Sequence, residues 1–366
     1  MFQSHASRVL AGLLLAAQAA LAQAAFKDPL NTPAMPTARL LDAPMTAVVR
    51  TGAGRLVAGG WRGLIALSDD DGKTWRQAQV PVREDLTALS FPTPTHGWAV
   101  GNEGVLLETT DGGAHWTKRL DGNVAAQLMV DTYAAAAGQH PDDARLAAAL
   151  KEARSYQAQA PARPFLDVAF ENDGVGYVAG TYGMLFRTAD AGRTWTPWLE
   201  RTDNPDGYNI YAIHVEGDQV FLAGELGLAL RLDRAQERFV KLAPGYEGSF
   251  FALAGEAPAV IAAGLRGNAL LSADEGRSWQ KVAFHAATPT TFSGAALMPD
   301  GAVVLVTLSG QLFVSADRGK TFTALPTRSP MRYSAVAPAG DHRVVVVGSQ
   351  GIRVESTRQD NNGQAR

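Results

Sequence analysis

The sequence predicts an all-β fold, a seven-bladed β-propeller, on three observations. A turn of the form Ser/Thr-x-Asp-x-Gly-x-x-Trp stands at Ser68-Asp70-Gly72-Trp75, Thr109-Asp111-Gly113-Trp116, Thr188-Asp190-Gly192-Trp195 and Ser272-Asp274-Gly276-Trp279, and with Phe for Trp at Ser315-Asp317-Gly319-Phe322. This is an Asp-box. A Gly-x-x-Gly turn that opens a short apolar strand stands at Gly60-Gly63, Gly101-Gly104, Gly180-Gly183, Gly224-Gly227, Gly264-Gly267 and Gly348-Gly351, with Thr307-Gly310 as a variant. Its intervals are 41, 79, 44, 40, 43 and 41 residues, and a period of about 40 to 45 with four strands per unit marks a propeller. Helical periodicity is scarce, while short runs of Val, Leu and aromatics alternate with turn signals.

Residues 1–24 read as a secretory signal peptide, with Arg8, an apolar run and small residues at Ala20-Leu21-Ala22 and Ala22-Gln23-Ala24. The run of about thirteen residues is short of the roughly 20 that span a membrane. A periplasmic or secreted, soluble, monomeric protein is expected, its propeller covering 25–356 and a polar tail 357–366. There is no cysteine, so no disulfide and no lipid anchor on one. The formal charge of −3, or about −4 without Arg8, offers no basic stripe for nucleic acid.

Within the second unit, strands A to D read as 86–91, 97–101, 105–109 and 115–120. The fourth unit keeps Asp233 in Arg231-Leu232-Asp233-Arg234-Ala235 without the Gly and Trp of the box. The last unit has A near 333–337, B at 343–348 and C at 351–356, then no fourth strand. Because an open sheet edge is a liability, the segment 36–41 is expected to pair with 351–356 and close the ring. The interval of 79 residues contains an insertion, 121–163. Its Ala-rich runs, the start signal His140-Pro141-Asp142-Asp143 and the stripe Leu146, Leu150, Ala153 predict helices at about 123–137 and 141–158.

The box carboxylates Asp70, Asp111, Asp190, Asp274 and Asp317 have a structural task. An Asp in a tight turn accepts backbone N–H groups, and the following Gly takes the positive φ. A calcium loop needs more oxygen ligands than these turns supply. The histidines form no H-x-H or H-x-x-x-H pair, so no metal site is expected. Each Gly-x-x-Gly leads into a strand, so no phosphate-binding loop and no cofactor are expected.

Strand alternation alone puts the B–C turns and D–A connections on one face of the disc and the Asp-boxes on the other. The candidate partner-binding residues are therefore Trp61, Arg62, Asn102, Glu103, Tyr182, Glu225 and Arg266 on the Gly-x-x-Gly turns, and Arg201, Asp203, Asn204 and Tyr208 on the long D–A connection 197–209. Trp, Tyr and Arg are favoured anchors for protein recognition. The helical insertion is expected to flank the same face beside 197–209, because long loops on a rigid scaffold carry function.

The repeat GxxGxLLxTxDGGxxWxx, at 101–118 and 180–196, resembles the photosystem II assembly and stability factor family of exported propellers, in its non-photosynthetic bacterial branch. The resemblance implies a non-enzymatic factor that binds an exported membrane-protein segment. The family's face is known for arginines. Here the turns supply Arg62 and Arg266 beside Glu103 and Glu225, which points away from a photosystem client. A periplasmic partner role for a transporter of the resistance-nodulation-division type is implied instead. Asp-box propellers also resemble sialidases, the alternative reading as glycoside hydrolase. That would need an arginine cluster, such as Arg62, Arg201 and Arg266, with a Tyr–Glu pair drawn from Tyr182, Tyr208, Glu103 and Glu225. The Tyr/Phe-Arg-Ile-Pro motif of sialidases is absent, so no catalytic residue is assigned.

Overall fold

The computed structural model describes residues 27–358; the expected signal peptide and most of the polar tail lie outside them. Seven antiparallel sheets, or blades, follow one another along the chain, spanning 45–77, 86–120, 165–197, 210–241, 250–281, 292–325 and 333–356. Their first strands touch in ring order, and Tyr333–Pro338 of blade 7 meets Met45–Arg50 of blade 1. Strands rich in Val, Ile and Leu are buried on both sides, as in Val303–Thr307 and Arg343–Gly348. Apolar clusters fill the space between neighbouring blades; one joins Met45, Val48 and Leu56 of blade 1 to Val345, Val347 and Ile352 of blade 7. The blade-to-blade clusters supply the main cohesion of the disc.

Each Asp-box folds through the hydrogen bonds its residues offer. Asp111 accepts Ala114 N–H at 2.9 Å, His115 N–H at 3.0 Å and the Thr109 hydroxyl at 2.9 Å, while Thr109 Oγ1 accepts Gly113 N–H at 3.0 Å. The indole N–H of Trp116 donates to Gly113 O at 2.8 Å. The box glycine has a further reason beyond its positive φ. A Cβ at Gly192 would stand 2.1 Å from Trp98 of the preceding blade, so the box is also the place where two blades touch.

The outer strands are linked by an arrangement not visible in the repeat. After leaving blade 5, Ala283–His285 runs parallel to Thr321–Leu325 and becomes the fifth strand of blade 6. Single parallel bridges at Gln79–His115 and Thr202–Phe239 repeat the pattern between blades 1 and 2 and between blades 3 and 4.

Two expectations are corrected. The segment 36–41 does not pair with Gly351–Ser356, and blade 7 is three-stranded. Beyond Pro36 its N–H groups go elsewhere, Thr37 N–H to Gln77 Oε1 at 3.0 Å and Arg39 N–H to the Thr37 hydroxyl at 3.1 Å, and Leu40–Asp42 winds into a 3-10 turn. The segment instead lies over the outer sides of blades 1 and 2, with Ala34 N–H on Val80 O at 3.0 Å and Gln77 Nε2 on Met35 O at 2.9 Å, and buries Leu30 and Leu40. The ring closes through first-strand contacts and the apolar cluster between blades 1 and 7, to which Leu40 contributes.

The insertion forms the two expected helices, α1 (Gly122–Gln139) and α2 (Ala144–Gln157), capped by Asp121 and Asp143. Pro141 sits in the link, not in the first turn. The hairpin lies along the outer edge of blade 3, where α1 contacts Thr196–Pro197, and its ends flank the turn face, α1 starting against Asn102–Gly104 and α2 facing Tyr182. Tyr133 Oη accepts Leu199 N–H and donates to Glu200, both at 2.8 Å. Ala126, Met129 and Tyr156 are fully buried in this packing, which covers an edge that would otherwise be open. Among the described residues no helix is long and apolar enough to cross a membrane.

Candidate partner-binding face

The Gly-x-x-Gly turns of blades 1 to 5 share one geometry. In blade 4 a Cβ at Gly224 would lie 2.0 Å from Asn209 O, and one at Gly227 (φ 76°) would lie 1.9 Å from Tyr246 O. The first glycine thus admits the entry to its own blade, and the second admits the entry to the next. Between them Arg62, Glu103, Tyr182, Leu226 and Arg266 adopt φ of 49 to 56°, a left-handed conformation rare for side-chain-bearing residues. The neighbouring entry fixes it: Arg62 N–H donates to Asp85 Oδ1 at 2.7 Å and Tyr182 N–H to Asn209 Oδ1 at 2.8 Å. The side chains of these turns are held outward on a rigid rim.

Large apolar side chains on this rim are unusually open. Trp61 is 51% exposed, Tyr182 53%, Leu226 57% and Leu308 37%. Tyr182 is also pre-set, because its ring rests 4.2 Å over the guanidinium of buried Arg163, which pairs with Glu152 of α2. Such a cation–π contact fixes an aromatic platform before any partner arrives. Arg62 and Arg266 are exposed on the turns of blades 1 and 5, while Asn102 and Glu103 are half-buried near the start of α1. Glu225 is partly used, its Oε2 accepting Asn209 N–H at 3.2 Å.

The residues chosen from 197–209 are corrected. Arg201 lies on the outer side of the disc, tied to Glu200 at 3.3 Å and Glu237 at 3.2 Å. Asp203 pairs with Arg238 at 2.6 Å beside the last strand of blade 4. Asn204 is buried and closes its own turn, with Nδ2 on Tyr208 O at 2.8 Å and Oδ1 accepting Tyr208 N–H at 3.0 Å. Tyr208 packs against the core between blades 3 and 4. These side chains spend their polar groups shaping the loop, and Arg201 is not brought to Arg62 and Arg266. The loop and α2 do stand as neighbours. A groove of about 570 Å³ runs between them, lined by Ala148, Ala149, Glu152, Tyr182 and Asp206.

Repeat reasoning missed the central channel, about 250 Å³, lined by the first strands of all seven blades. Each first strand bulges at its second residue, and the next position holds Ala47, Ala88, Ala212, Ala252, Gly294 or Ala335 in six blades. In blade 3 it holds Asp167. Asp167 Oδ1 accepts Val168 N–H at 2.8 Å and Oδ2 accepts Ile213 N–H of blade 4 at 2.6 Å. Burial nevertheless pushes its carboxyl up to about 7, those two N–H groups opposing the shift. Aligning the repeats would have shown the exception. The box carboxylates go the other way: bonds from Thr74 hold Asp70 near 2, and bonds from Ser278 hold Asp274 near 2.

The fold and its Asp-box turns define the class, a β-propeller with a rigid apolar rim on one face. A profile of the family described as "Photosynthesis system II assembly factor YCF48" matches residues 55–133 and 150–245. A curated relative, the photosystem II assembly protein Ycf48 of Synechococcus sp. (strain JA-2-3B'a(2-13)), is 34% identical over 131 residues, covering 33% of this chain and 39% of the relative. The match therefore spans about two fifths of that relative's length. A solved structure titled "YCF48 bound to D1 peptide" superposes with a TM-score of 0.59 at 15% identity, covering 89% of this chain and 99% of the other. The WD40 propeller domain of Doa1 gives 0.60 at 11% identity, covering 92% and 99%. These matches make the chain similar to the photosystem II assembly factor-like propellers over residues 55–245, and the solved structures share its fold.

Proposed function

We propose that the chain is a non-enzymatic, protein-binding propeller that acts as an assembly or accessory factor for a membrane protein complex. The observation that carries this reading is the placement of exposed apolar residues. Among the described residues seven large hydrophobic side chains are exposed, and four of them, Trp61, Tyr182, Leu226 and Leu308, lie on the Gly-x-x-Gly turns. They are single anchors spread over blades 1, 3, 4 and 6 on one face, and rigid aromatics make the strongest anchors for a protein partner. A propeller of the same fold carries a title recording a bound peptide of D1, and the curated relatives are named as assembly proteins of photosystem II. The client here is an exported segment of a membrane protein, met in the periplasm. A transporter of the resistance-nodulation-division type is the candidate complex, on the resemblance of the repeat and the expected leader.

Affinity capture from solubilised membranes tests this, comparing the full chain with Trp61→Ala/Tyr182→Ala/Leu226→Ala. Recovery of a membrane protein with the parent and its loss with the triple variant is the expected result. Equal recovery would move the working surface elsewhere. Hydrolysis of sialosides by the pure protein would replace this reading with the glycosidase one.

A further inference from the structure

Among the described residues six of the seven blades carry a fourth strand, and blade 7 has three, the last being Gly351–Ser356. The two-residue turn Ser349-Gln350 makes Gly348 and Gly351 a hydrogen-bonded pair, and such pairs alternate along an antiparallel ladder. Gly351, Arg353 and Glu355 therefore bond inward, while Ile352, Val354 and Ser356 turn their backbone groups outward. Ile352 O is taken by the Arg353 guanidinium at 2.8 Å. Among the described residues nothing meets the N–H or C=O of Val354. The segment before blade 1 covers the start of this edge, where Leu41 O and Asp42 meet Arg353 at 3.5 and 3.9 Å and Leu40 packs with Ile352, and it leaves Val354 and Ser356 uncovered. An unpaired edge is a template for another strand.

Charge selects what would fit. Arg328, whose N–H donates to Glu355 Oε2 at 3.2 Å, is exposed, as are Arg358 just past the strand and Arg39 beside Leu40. Among the described residues none of the three has a carboxylate partner, and Glu355 is buried. On the other side of the strand, Val354 and half-buried Trp75 form an apolar floor. We infer that this edge accepts an extended acidic segment of a partner polypeptide as the fourth strand of blade 7. An apolar residue opposite Val354 shares its face and meets Trp75. The residues flanking it point to the other face, where a carboxylate reaches Arg328. This contact is separate from the turn face and does not rest on it.

The probe is a short labelled peptide alternating Glu and Val, with a Lys-Val peptide as control, followed by fluorescence anisotropy and by hydrogen exchange of residues 352–356 in the full chain. Saturable binding of the Glu-Val peptide that slows exchange there is expected. Val354→Pro removes one outward N–H at an edge where proline is tolerated, and it should weaken binding at least about tenfold, as expected for loss of an anchoring contact. If that variant melts early, Arg328→Glu/Arg358→Glu carries the test with the same expected loss. Trp61→Ala/Tyr182→Ala should bind the peptide as the parent does, so failure of the turn-face reading leaves this result standing. No binding, equal binding of the Lys-Val peptide, or binding that survives both edge variants overturns the inference. Slow exchange at 352–356 in the free protein also overturns it. If removal of 359–366 abolishes that protection, the chain's own end holds the edge; if dilution abolishes it, a second copy does.

Discussion

Replacing Asp167 by alanine gives the channel of blade 3 the residue that five other blades carry at that position, so the fold already accommodates it. What changes is the pH dependence of stability. Burial raises the carboxyl from 3.8 to about 7, so the folded state favours the neutral form. The contribution of this group is intact below the unfolded value of 3.8, is lost as pH rises towards 7, and is constant above. A shift of about three units corresponds to roughly 4 kcal/mol, a ceiling because channel solvent reaches the side chain. We expect the stability of Asp167→Ala relative to the parent to rise by about 2 kcal/mol between pH 4 and pH 8. Chemical denaturation followed by tryptophan fluorescence at both pH values measures it. The Asp-box carboxylates do not interfere, since their lowered values cost stability only as pH falls below the ordinary carboxylate range. A difference between the two proteins that is the same at pH 4 and pH 8 would refute the assignment of a raised Asp167.

Asp111→Ala should lower stability by about 1 to 2 kcal/mol, the range for orphaned turn donors, and leave partner capture intact in the folded fraction; loss of capture at an unchanged melting temperature would mean the box does more than fold. Leu30→Ala should cost about 2 to 4 kcal/mol because the side chain is buried under the outer sides of blades 1 and 2; a cost near zero would show that the segment 27–44 does not pack as described. Joining Leu120 to Phe165 through a Gly-Ser link should destabilise the domain by several kcal/mol, since the edge of blade 3 and the surface under Met129 and Tyr156 are laid bare, and unchanged melting would show the hairpin to be an independent appendage.

The glycine turns and Asp-boxes made the repeat legible because each encodes a local backbone requirement. Gly227 cannot carry a Cβ, and Asp111 must reach N–H groups three and four residues on; both demands leave a fixed spacing in the sequence. The helices were legible through their Ala-rich runs, the start signal at 140–143 and the stripe Leu146, Leu150 and Ala153 of α2. What failed were inferences about where a segment lies once local rules are satisfied. The residues 36–41 give no sign that Thr37 donates to Gln77 of blade 1 and that Leu40–Asp42 turns into a 3-10 helix. Nothing in 197–209 announces that Arg201 and Asp203 are spent on Glu237 and Arg238, because those partners come from the next blade. Asp167 was overlooked because the repeats were aligned on their turns and not on the small residue that lines the channel.

The direct test of the turn face is site-specific photo-crosslinking. A photoreactive residue is placed at Trp61, at Tyr182 or at Leu226, and at Lys73 and Arg277 on the Asp-box rim as controls. The account predicts adducts to one membrane-protein segment from the three turn positions and none from the two rim positions. Adducts from Lys73 and Arg277 with none from Trp61, Tyr182 and Leu226 would contradict it.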